Sequence, residues 1–258
     1  MVAKYAEVLE SSISIVTPNK RANAGKHALY EKFHQLALKH NVRFLYETNV
    51  GAGLPIISTM NDLVAGGDKI LRIDGVLSGT LSYIFNSFSP GSTFSDIVAE
   101  AQKLGLTEPD PRDDLNGLDV GRKLLILALE AGHTLEFKDI KVKSLIPEAL
   151  LRPKTVDEFF RKLPGIDEQY ARARDAAATK GEVLRYVASF ASGRAEVSLQ
   201  SVGRDHPCYS LSGSDIIIAF TTRNCRKNPV VVKGPGAGAY VTATGVFADI
   251  IRVSHHQG

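Results

Sequence analysis

The chain has 258 residues, of which 44% are hydrophobic and 23% charged, a composition typical of a globular protein with one large or two modest domains. The formal net charge of +3 comes from lysines and arginines spread along the chain, which argues against a nucleic-acid-binding protein. No uninterrupted apolar run reaches the length of a membrane span, and the first residues lack the charged-then-apolar order of a signal peptide. The sequence therefore predicts a cytoplasmic α/β protein, with an enzyme as the simplest interpretation.

The two cysteines, Cys208 and Cys225, have neither CxxC nor zinc-ligand spacing. A single disulfide between them and two reduced thiols both fit the sequence. The reduced state of an intracellular enzyme is the simpler interpretation.

The N-terminal region alternates between short helices and strands. Hydrophobic patterning predicts helices at 3–9 and 24–40, strands at 12–16 and 42–47, and a further helix from 55 to about 64. Strand–helix–strand order with short links is typical of a parallel sheet. Two strands are too few to form such a sheet alone, so we expect the chain to begin partway through a domain.

The remainder combines helix-rich and strand-rich blocks. The predicted helices are 94–104, the segment that follows the acidic loop described below, 156–162, 168–178 and 241–253. The predicted strands are 69–76, 140–144, 182–190, 195–201, 216–222 and 230–233. This order predicts an α+β layer with helices on one face of a mixed or antiparallel sheet.

A loop rich in carboxylates leads into the helix of greatest chemical interest. The sequence EPDPRDDLNGL occupies residues 108–118. Its two prolines fix their own φ and extend the residues before them, so an ordered, non-helical loop is predicted over 108–112. Asp113, Asp114 or Asn116 is expected to cap the helix that follows.

Asp119 and Lys123 lie four residues apart on that helix and therefore share a face. If the loop delivers Glu108 to the same face, the result is a compact site with both signs of charge, suited to a zwitterion. The alternative is a solvated ion pair on a helix surface, worth only about 0.3–0.5 kcal/mol. Spacing alone leaves both interpretations open.

Two glycine-rich loops are candidate ligand sites. Residues 234–239, GPGAGA, follow a strand and satisfy the G-x-G-x-x-A pattern, but only 19 residues remain after them, too few for a complete dinucleotide-binding unit. This loop either offers backbone N–H groups to a ligand or forms a tight turn into a helix. In residues 51–55, GAGLP, glycine-permitted turns expose carbonyl oxygens that can bind a hard cation together with that of Glu47.

Five segments resemble the homoserine dehydrogenases, NAD(P)-dependent enzymes that interconvert aspartate semialdehyde and homoserine in threonine, methionine and isoleucine biosynthesis. In chain order they are VTPNKRA (16–22), TNVGAGLPII (48–57), GVLSGTLSYIFN (75–86), TEPDPRDDLNGLDVGRKLLIL (107–127) and GAGAYVTATGVFADII (236–251). The resemblance begins partway through the family's nucleotide-binding domain and lacks its N-terminal GxGxxG segment.

The resemblance implies three regions and a homodimer. Residues 1–52 are expected to be the C-terminal part of a Rossmann-like NAD(P)-binding domain. Residues 53–233 are expected to form the catalytic and dimerisation domain, and 234–258 a glycine loop and helix that return to the nucleotide-binding domain. The implied fold is a partial Rossmann-like parallel sheet followed by a substrate and dimerisation domain with helices on one face of a mixed sheet.

The resemblance also implies residue roles. Lys20 and Lys123 match the two catalytic lysines, Lys20 near the nicotinamide of NAD or NADP. Asp119 matches the acid that supports the second lysine, Lys123, and the substrate hydroxyl. The implied substrate-binding residues are Glu108, Asp114, Gly79 and Thr80. Gly236 matches the loop that, with Lys20, contacts the cofactor. The backbone oxygens of Glu47, Val50, Ala52 and Leu54 match a site for Na⁺ or another monovalent cation.

Three departures from the family pattern and one rival function accompany this interpretation. Arg21 occupies a position where Lys is frequent. Leu106 occupies a position where the family commonly has Tyr, and Gly121 one where Ala is frequent, at a cost to the helix of up to about 1 kcal/mol. The small-molecule enzyme is the first interpretation. The alternative is a truncated, non-catalytic fragment that serves as a dimerisation or amino-acid-binding module.

Overall fold

The structure is a computed structural model that describes residues 2–255. The α-helices in this range are α1 Tyr5–Glu10, α2 His27–Lys39, α3 Ile57–Ala65, α4 Gly79–Ser87, α5 Phe94–Lys103, α6 Arg112–Leu115, α7 Leu118–Glu130, α8 Glu148–Leu151, α9 Val156–Lys162, α10 Asp167–Ala178 and α11 Ala239–Ser254. The strands are β1 Ile15–Val16, β2 Phe44–Leu45, β3 Ile70–Val76, β4 Ile140–Val142, β5 Val183–Ala191, β6 Arg194–Val202, β7 Asp215–Thr222 and β8 Val230–Pro235.

The N-terminal unit is a parallel pair of strands joined by α2. Ile15 pairs with Phe44 and Val16 with Leu45, so the predicted parallel arrangement is confirmed, although both strands are shorter than predicted. Phe44 is buried against Phe33 of α2 and Tyr5 of α1, with ring centroids 5.8 and 5.9 Å away. This aromatic contact holds the two helices on the pair.

The larger unit is a six-stranded sheet in the order β4-β6-β5-β3-β7-β8. Neighbouring strands are antiparallel except β4 and β6, so the predicted mixed sheet is confirmed. Helices α4, α7 and α10 pack on β5. Alternate residues of β7 divide between two faces: Ile216, Ile218 and Phe220 join the core under the helices, whereas Ile217 packs with Val76, Cys208 and Leu211.

Helix α7 runs through the middle of the core, and most of its residues are buried. A Cβ on Gly121 would lie 2.8 Å from Cγ2 of Val142 and 3.1 Å from the Phe137 ring. The glycine therefore lets β4 and the segment before it approach the helix closely. This close approach is a packing reason for accepting the low helix propensity of Gly121.

The predicted capping of α7 is partly wrong. Asp113 and Asp114 lie inside the short helix α6, so the non-helical loop ends at Pro111 and neither acid caps α7. Gly117 precedes α7 with a left-handed φ of 73°, and Asn116 Oδ1 accepts a hydrogen bond of 2.8 Å from the N–H of Leu118. The local pattern predicted a cap but could not show that a separate helical turn intervenes.

Neither cysteine forms a disulfide, in agreement with the reduced interpretation. Cys208 is buried, and Cys225 is half-buried. Among residues 2–255, none of the helices has both the length and the apolar character needed to cross a membrane.

Candidate active site

The first turns of α7 place an acid and a lysine on one face, as their spacing predicts. Lys123 Nζ lies 3.0 Å from Asp119 Oδ2 and donates a 2.9 Å hydrogen bond to the backbone oxygen of Leu77, just after β3. The Lys123 side chain is 13% exposed and that of Asp119 is 44% exposed. The pair therefore sits at the mouth of a partly desolvated site rather than on an open helix surface.

A second lysine reaches the same carboxylate from the N-terminal unit. Lys20 follows β1, and its Nζ lies 3.5 Å from Asp119 Oδ1. The turn around Lys20 is held by side chains on either side, because Asn19 N–H donates to Thr17 Oγ1 at 3.1 Å and Arg21 N–H donates to Asn19 Oδ1 at 2.9 Å. One carboxylate thus joins ammonium groups from two parts of the fold.

The charge on Asp119 follows from its surroundings. Burial raises the pKa of its carboxyl, but Lys123 and then Lys20 outweigh that effect and leave the pKa below its ordinary value. Asp119 is therefore a carboxylate at neutral pH. An ionised acid with two ammonium partners holds both amines in a defined position.

Two predicted substrate-binding acids come together beside this cluster. Asp114 Oδ2 accepts a 2.8 Å hydrogen bond from the backbone N–H of Glu108, whose own residue is exposed. Burial raises the pKa of Asp114 to about 6, the carboxylates of Glu108 and Asp119 add to the rise, and the hydrogen bond from Glu108 N–H opposes it. The neighbouring carboxylates therefore repel one another, and a bound cation would reduce that repulsion.

Asp110, another acid of the loop, has a structural role. Arg112 pairs with Asp110, with a 2.8 Å hydrogen bond from Nε to Oδ1, and Nη1 donates to the backbone oxygen of Pro153 at 2.5 Å. The Arg112 guanidinium lowers the pKa of the Asp110 carboxyl. Sequence reasoning missed this internal pair, which engages Asp110 within the loop and away from Asp119.

Helix α4 begins at the two small residues predicted to contact substrate. Ser78 Oγ accepts a 3.2 Å hydrogen bond from Leu81 N–H and so caps the helix. Gly79 and Thr80 are buried in its first turn, and the Thr80 hydroxyl donates to the backbone oxygen of Leu106 at 2.5 Å. That bond fixes the start of α4 against the loop that carries Glu108.

The glycine loop before α11 lies beside the start of α4. A Cβ on Gly79 would be 3.0 Å from the oxygen of Ser214 and 3.8 Å from Cβ of Ala237. Gly236 packs on Ile216, where a Cβ would approach within 2.4 Å, whereas Gly238 has a φ of 118° and open space around it. The structure thus brings the Gly236 loop next to Gly79.

The segment predicted to bind a cation follows β2, and its first turn contacts α11. Gly51 and Ala52 have left-handed φ values of 80° and 54°, which turn successive carbonyls in different directions. Among residues 2–255, no group of three or more His, Cys, Asp and Glu side chains is arranged to hold a metal ion.

The side chain of Glu47 has a role that the sequence did not reveal. Its carboxylate is buried and accepts hydrogen bonds from the N–H groups of Ile57 at 2.7 Å and Ser58 at 3.1 Å, so it caps α3. Arg252 donates to it at 3.2 Å, and Asp249 accepts a 2.9 Å hydrogen bond from Glu47 N–H. This network attaches α11 to the N-terminal unit.

Comparison with known protein families identifies one match over most of the chain. The homoserine dehydrogenase family model matches residues 55–251. A bifunctional aspartokinase/homoserine dehydrogenase of Zea mays is 54% identical over 260 residues, which cover 100% of this chain and 28% of the maize protein. A homoserine dehydrogenase of Schizosaccharomyces pombe is 45% identical over 257 residues, which cover 96% of this chain and 68% of that protein. The chain therefore spans under a third of the plant relative.

Solved structures share the fold. A crystal structure of a Candida auris protein of unknown function has a TM-score of 0.93 at 41% identity, covering 98% of this chain and 73% of that one. A hyperthermophilic archaeal homoserine dehydrogenase in complex with NADPH has a TM-score of 0.74 at 28% identity, covering 98% of this chain and 68% of that one. The predicted fold class is confirmed by these neighbours.

Proposed function

Because the chain belongs to the homoserine dehydrogenase family, we propose that it catalyses the NAD(P)-dependent interconversion of L-homoserine and L-aspartate 4-semialdehyde. The observation that carries this proposal is one carboxylate, Asp119, between the ammonium groups of Lys20 and Lys123, beside the acids Glu108 and Asp114. Lysines exchange protons with an oxygen, and neighbouring acids attract an amino group. An amino acid with an alcohol or aldehyde group fits this combination.

The acids hold the amino group of the substrate. A substrate ammonium between Glu108 and Asp114 gains charge-assisted hydrogen bonds that an uncharged aldehyde cannot make. The raised pKa of Asp114 supports this role, because a cation there relieves the repulsion among the neighbouring carboxylates. Thr80 lies beside Asp114, and Gly79 lets the start of α4 pack closely on Ser214 and the glycine loop before α11.

Lys123 exchanges a proton with the C4 oxygen of the substrate. In the oxidation direction its neutral amine accepts the hydroxyl proton, and in the reduction direction its ammonium returns that proton to the forming alkoxide. The hydride chemistry would be supplied by NAD(P) when it is bound. Asp119 holds the amine in place, and Lys20 stabilises negative charge as it builds up on the oxygen.

The residues present fit a nucleotide cofactor. Gly238 has open space around it and precedes α11, whose first N–H groups receive no side-chain cap. A helix N-terminus of this kind attracts an anionic group such as a phosphate. Gly236 shapes this loop and Lys20 adds positive charge, so both are the cofactor-binding residues of the proposal, for either NAD or NADP.

The proposal extends to a monovalent cation held by the backbone oxygens of Glu47, Val50, Ala52 and Leu54. The left-handed conformation at Ala52 supports it, because successive carbonyls then point in different directions. Replacing NaCl by choline chloride at constant ionic strength is the test. A cation site predicts a lower melting temperature or activity in choline, and identical values in both salts would contradict it.

The proposal also includes a homodimer formed through the six-stranded sheet. The face opposite the helices is covered in part by the segment that carries Cys208 and Leu211, and Val231 at the edge strand β8 is 46% exposed. Light scattering tests it, with a mass of twice 27.9 kDa expected. A mass of 27.9 kDa at micromolar concentration would contradict it.

The activity itself is tested by homoserine-dependent reduction of NADP and of NAD, followed by absorbance, with Lys123→Ala as the matched variant. We expect turnover that the substitution lowers by about 10²- to 10⁴-fold without changing the circular dichroism of the fold. Folded protein that binds homoserine in calorimetry but reduces neither cofactor would contradict the proposal. That result would favour an amino-acid-binding module.

A further inference from the structure

A buried polar cluster joins the far end of α7 to the N-terminal unit. Glu130 is the last residue of α7, and its Oε1 accepts hydrogen bonds from two tyrosine hydroxyls. Tyr30, in the first half of α2, donates at 2.8 Å, and Tyr46, just after β2, donates to the same oxygen. Tyr46 is only 4% exposed. One carboxylate oxygen thus receives both hydroxyls from the other unit.

His34 completes the cluster. Its Nε2 lies 2.9 Å from the Tyr46 hydroxyl, and because that hydroxyl gives its single proton to Glu130, the imidazole donates from Nε2. Burial lowers the pKa of His34 to about 4, in agreement with a neutral ring at physiological pH. The cluster lines a cavity of about 870 Å³, and the residues that line this cavity do not include the proposed substrate-binding residues.

The position of this cluster along α7 matters for the lysines. Glu130 follows Asp119 by eleven residues, which places it about 16 Å further along the helix. Near the start of α7, Lys20 meets Asp119 across 3.5 Å, and near its end the two tyrosines meet Glu130. Helix α7 is therefore tied to the N-terminal unit at two separate points.

The tyrosine-bearing unit is also coupled to Lys20 through the chain. Ala24 N–H donates to the Lys20 oxygen at 2.7 Å, and α2 begins at His27, three residues after Ala24. His27 N–H donates to Glu136 Oε1 at 3.1 Å, in the loop after α7. The turn that contains Lys20 therefore leads into α2. The first half of α2 is held by hydrogen bonds to Glu130 and Glu136, at the end of α7 and in the loop after it.

We propose that Glu130, held by Tyr30 and Tyr46, is a positioning residue that sets the distance between Lys20 and the Asp119–Lys123 pair. This inference rests on the proposed function for its effect on turnover. If the cluster is removed, α2 and the Lys20 turn can shift relative to α7. Misplacement of catalytic groups by about 1 Å can cost about 100-fold in rate.

The substrate-holding residues do not depend on this cluster. Thr80, Glu108 and Asp114 all lie on the α4–α7 side of the site. Loss of the cluster should therefore lower kcat and leave the KM for homoserine nearly unchanged. A purely stabilising cluster would instead lower the melting temperature and leave both kinetic constants of the folded protein unchanged.

The decisive variant is Tyr30→Phe combined with Tyr46→Phe, which removes both hydroxyls and keeps the rings. We expect kcat to fall about 10-fold or more, with the KM for homoserine within about twofold. Tyr170→Phe is the matched control, because its buried hydroxyl also donates one hydrogen bond, to the oxygen of Leu145, away from the cluster. Glu130→Gln keeps an oxygen that accepts the hydrogen bonds and should have a kcat near that of the wild type. Glu130→Leu has no acceptor, and its kcat should fall.

A second readout is independent of turnover. The low pKa of Asp119 depends in part on Lys20, so carboxyl ¹³C titration reports whether Lys20 is close. We expect the pKa of Asp119 in the double variant to rise to the value in Lys20→Met. An unchanged pKa together with a wild-type kcat would overturn the inference. If the wild-type protein turns over no homoserine, the proposed function fails, while the titration still tests the positioning role.

Discussion

The Lys20 ammonium and the Asp119 carboxylate, 3.5 Å apart, join two units of the fold that are distant in sequence. Lys20 follows the first strand of the parallel pair, and Asp119 lies in the first turn of the helix that runs through the main core. Since Asp119 also binds Lys123, a single acid organises the charges of the site. The site is therefore a property of the relative placement of the two units.

Substitution of Asp119 tests this organisation. Asp119→Asn keeps the shape of the side chain but removes the negative charge, so the two ammonium groups repel each other and lose their fixed positions. We expect kcat for homoserine oxidation to fall about 10-fold or more, with the fold intact by circular dichroism. Glu196→Gln, which loses a surface ion pair with Lys143, is the control and should retain full activity. Equal kcat values for the two variants would contradict this role.

The pKa of Asp114 predicts a pH dependence of substrate binding. Burial raises that pKa to about 6, so the KM for homoserine should rise as the pH falls through 6 and the carboxyl loses its charge. Asp114→Asn should raise the KM at pH 8 and abolish this pH dependence. Steady-state kinetics from pH 5 to 8 provide the test, and a parallel KM profile in the variant would contradict it.

The same carboxyl has a defined effect on stability. Its folded pKa lies above the ordinary value of 3.8, so between 3.8 and about 6 the folded chain binds more protons than the unfolded chain. Its contribution to the free energy of unfolding therefore decreases as the pH rises through this window. Asp114→Asn should reduce the decline of the melting temperature with rising pH over that range. A steeper decline than in the wild type would contradict this sign.

Substitution of Gly117 tests which features of the chain allow α7 to begin at Leu118. Gly117 adopts a φ of 73°, and a Cβ there would lie 2.0 Å from the Tyr186 hydroxyl. Gly117→Ala therefore combines left-handed strain of about 1–2 kcal/mol with a steric clash. Gly132→Ala is a matched control, because Gly132 has a φ of 82° with nothing within 4 Å of a Cβ. Urea unfolding should show a larger loss for Gly117→Ala, and equal losses would contradict the clash.

Much of the fold was predictable because regular patterns persist over whole elements. The apolar run at 216–222 predicted β7 to within one residue, and the helix predicted after the acidic loop is present as α7. The helical spacing of Asp119 and Lys123 likewise placed both groups on one face. Each of these features depends on residues that are close together in the sequence, so it can be recognised without knowledge of the tertiary contacts.

The rest depended on contacts between distant residues. Lys20 could be assigned to the site only because the sequence resembles a known family, since its partner Asp119 lies 99 positions away in the sequence. The wrong assignment of Asp113 and Asp114 as caps of α7 arose because the proline-rich loop forms its own helical turn. The Glu130 cluster has no sequence signature, because its members come from α2, the end of β2 and α7.

Glu47 makes a prediction about the attachment of α11. Its buried carboxylate caps α3 and binds Arg252, which also contacts Asp249 at 2.8 Å. Glu47→Ala removes the acceptor for two N–H groups and leaves buried polar groups without their partner. We expect a loss of about 3 kcal/mol in the free energy of unfolding.

A surface pair supplies the comparison for Glu47. Glu168 forms an ion pair with Arg172 in which both side chains are at least 70% exposed, so Glu168→Ala should change stability by less than about 1 kcal/mol. Burial explains the difference, because solvent replaces the lost partner at the exposed Glu168, whereas Glu47 is 5% exposed and its N–H donors lose a buried acceptor. Denaturant unfolding of both variants is the measurement. If Glu47→Ala is no more destabilising than Glu168→Ala, the carboxylate does not hold α3 and α11 together.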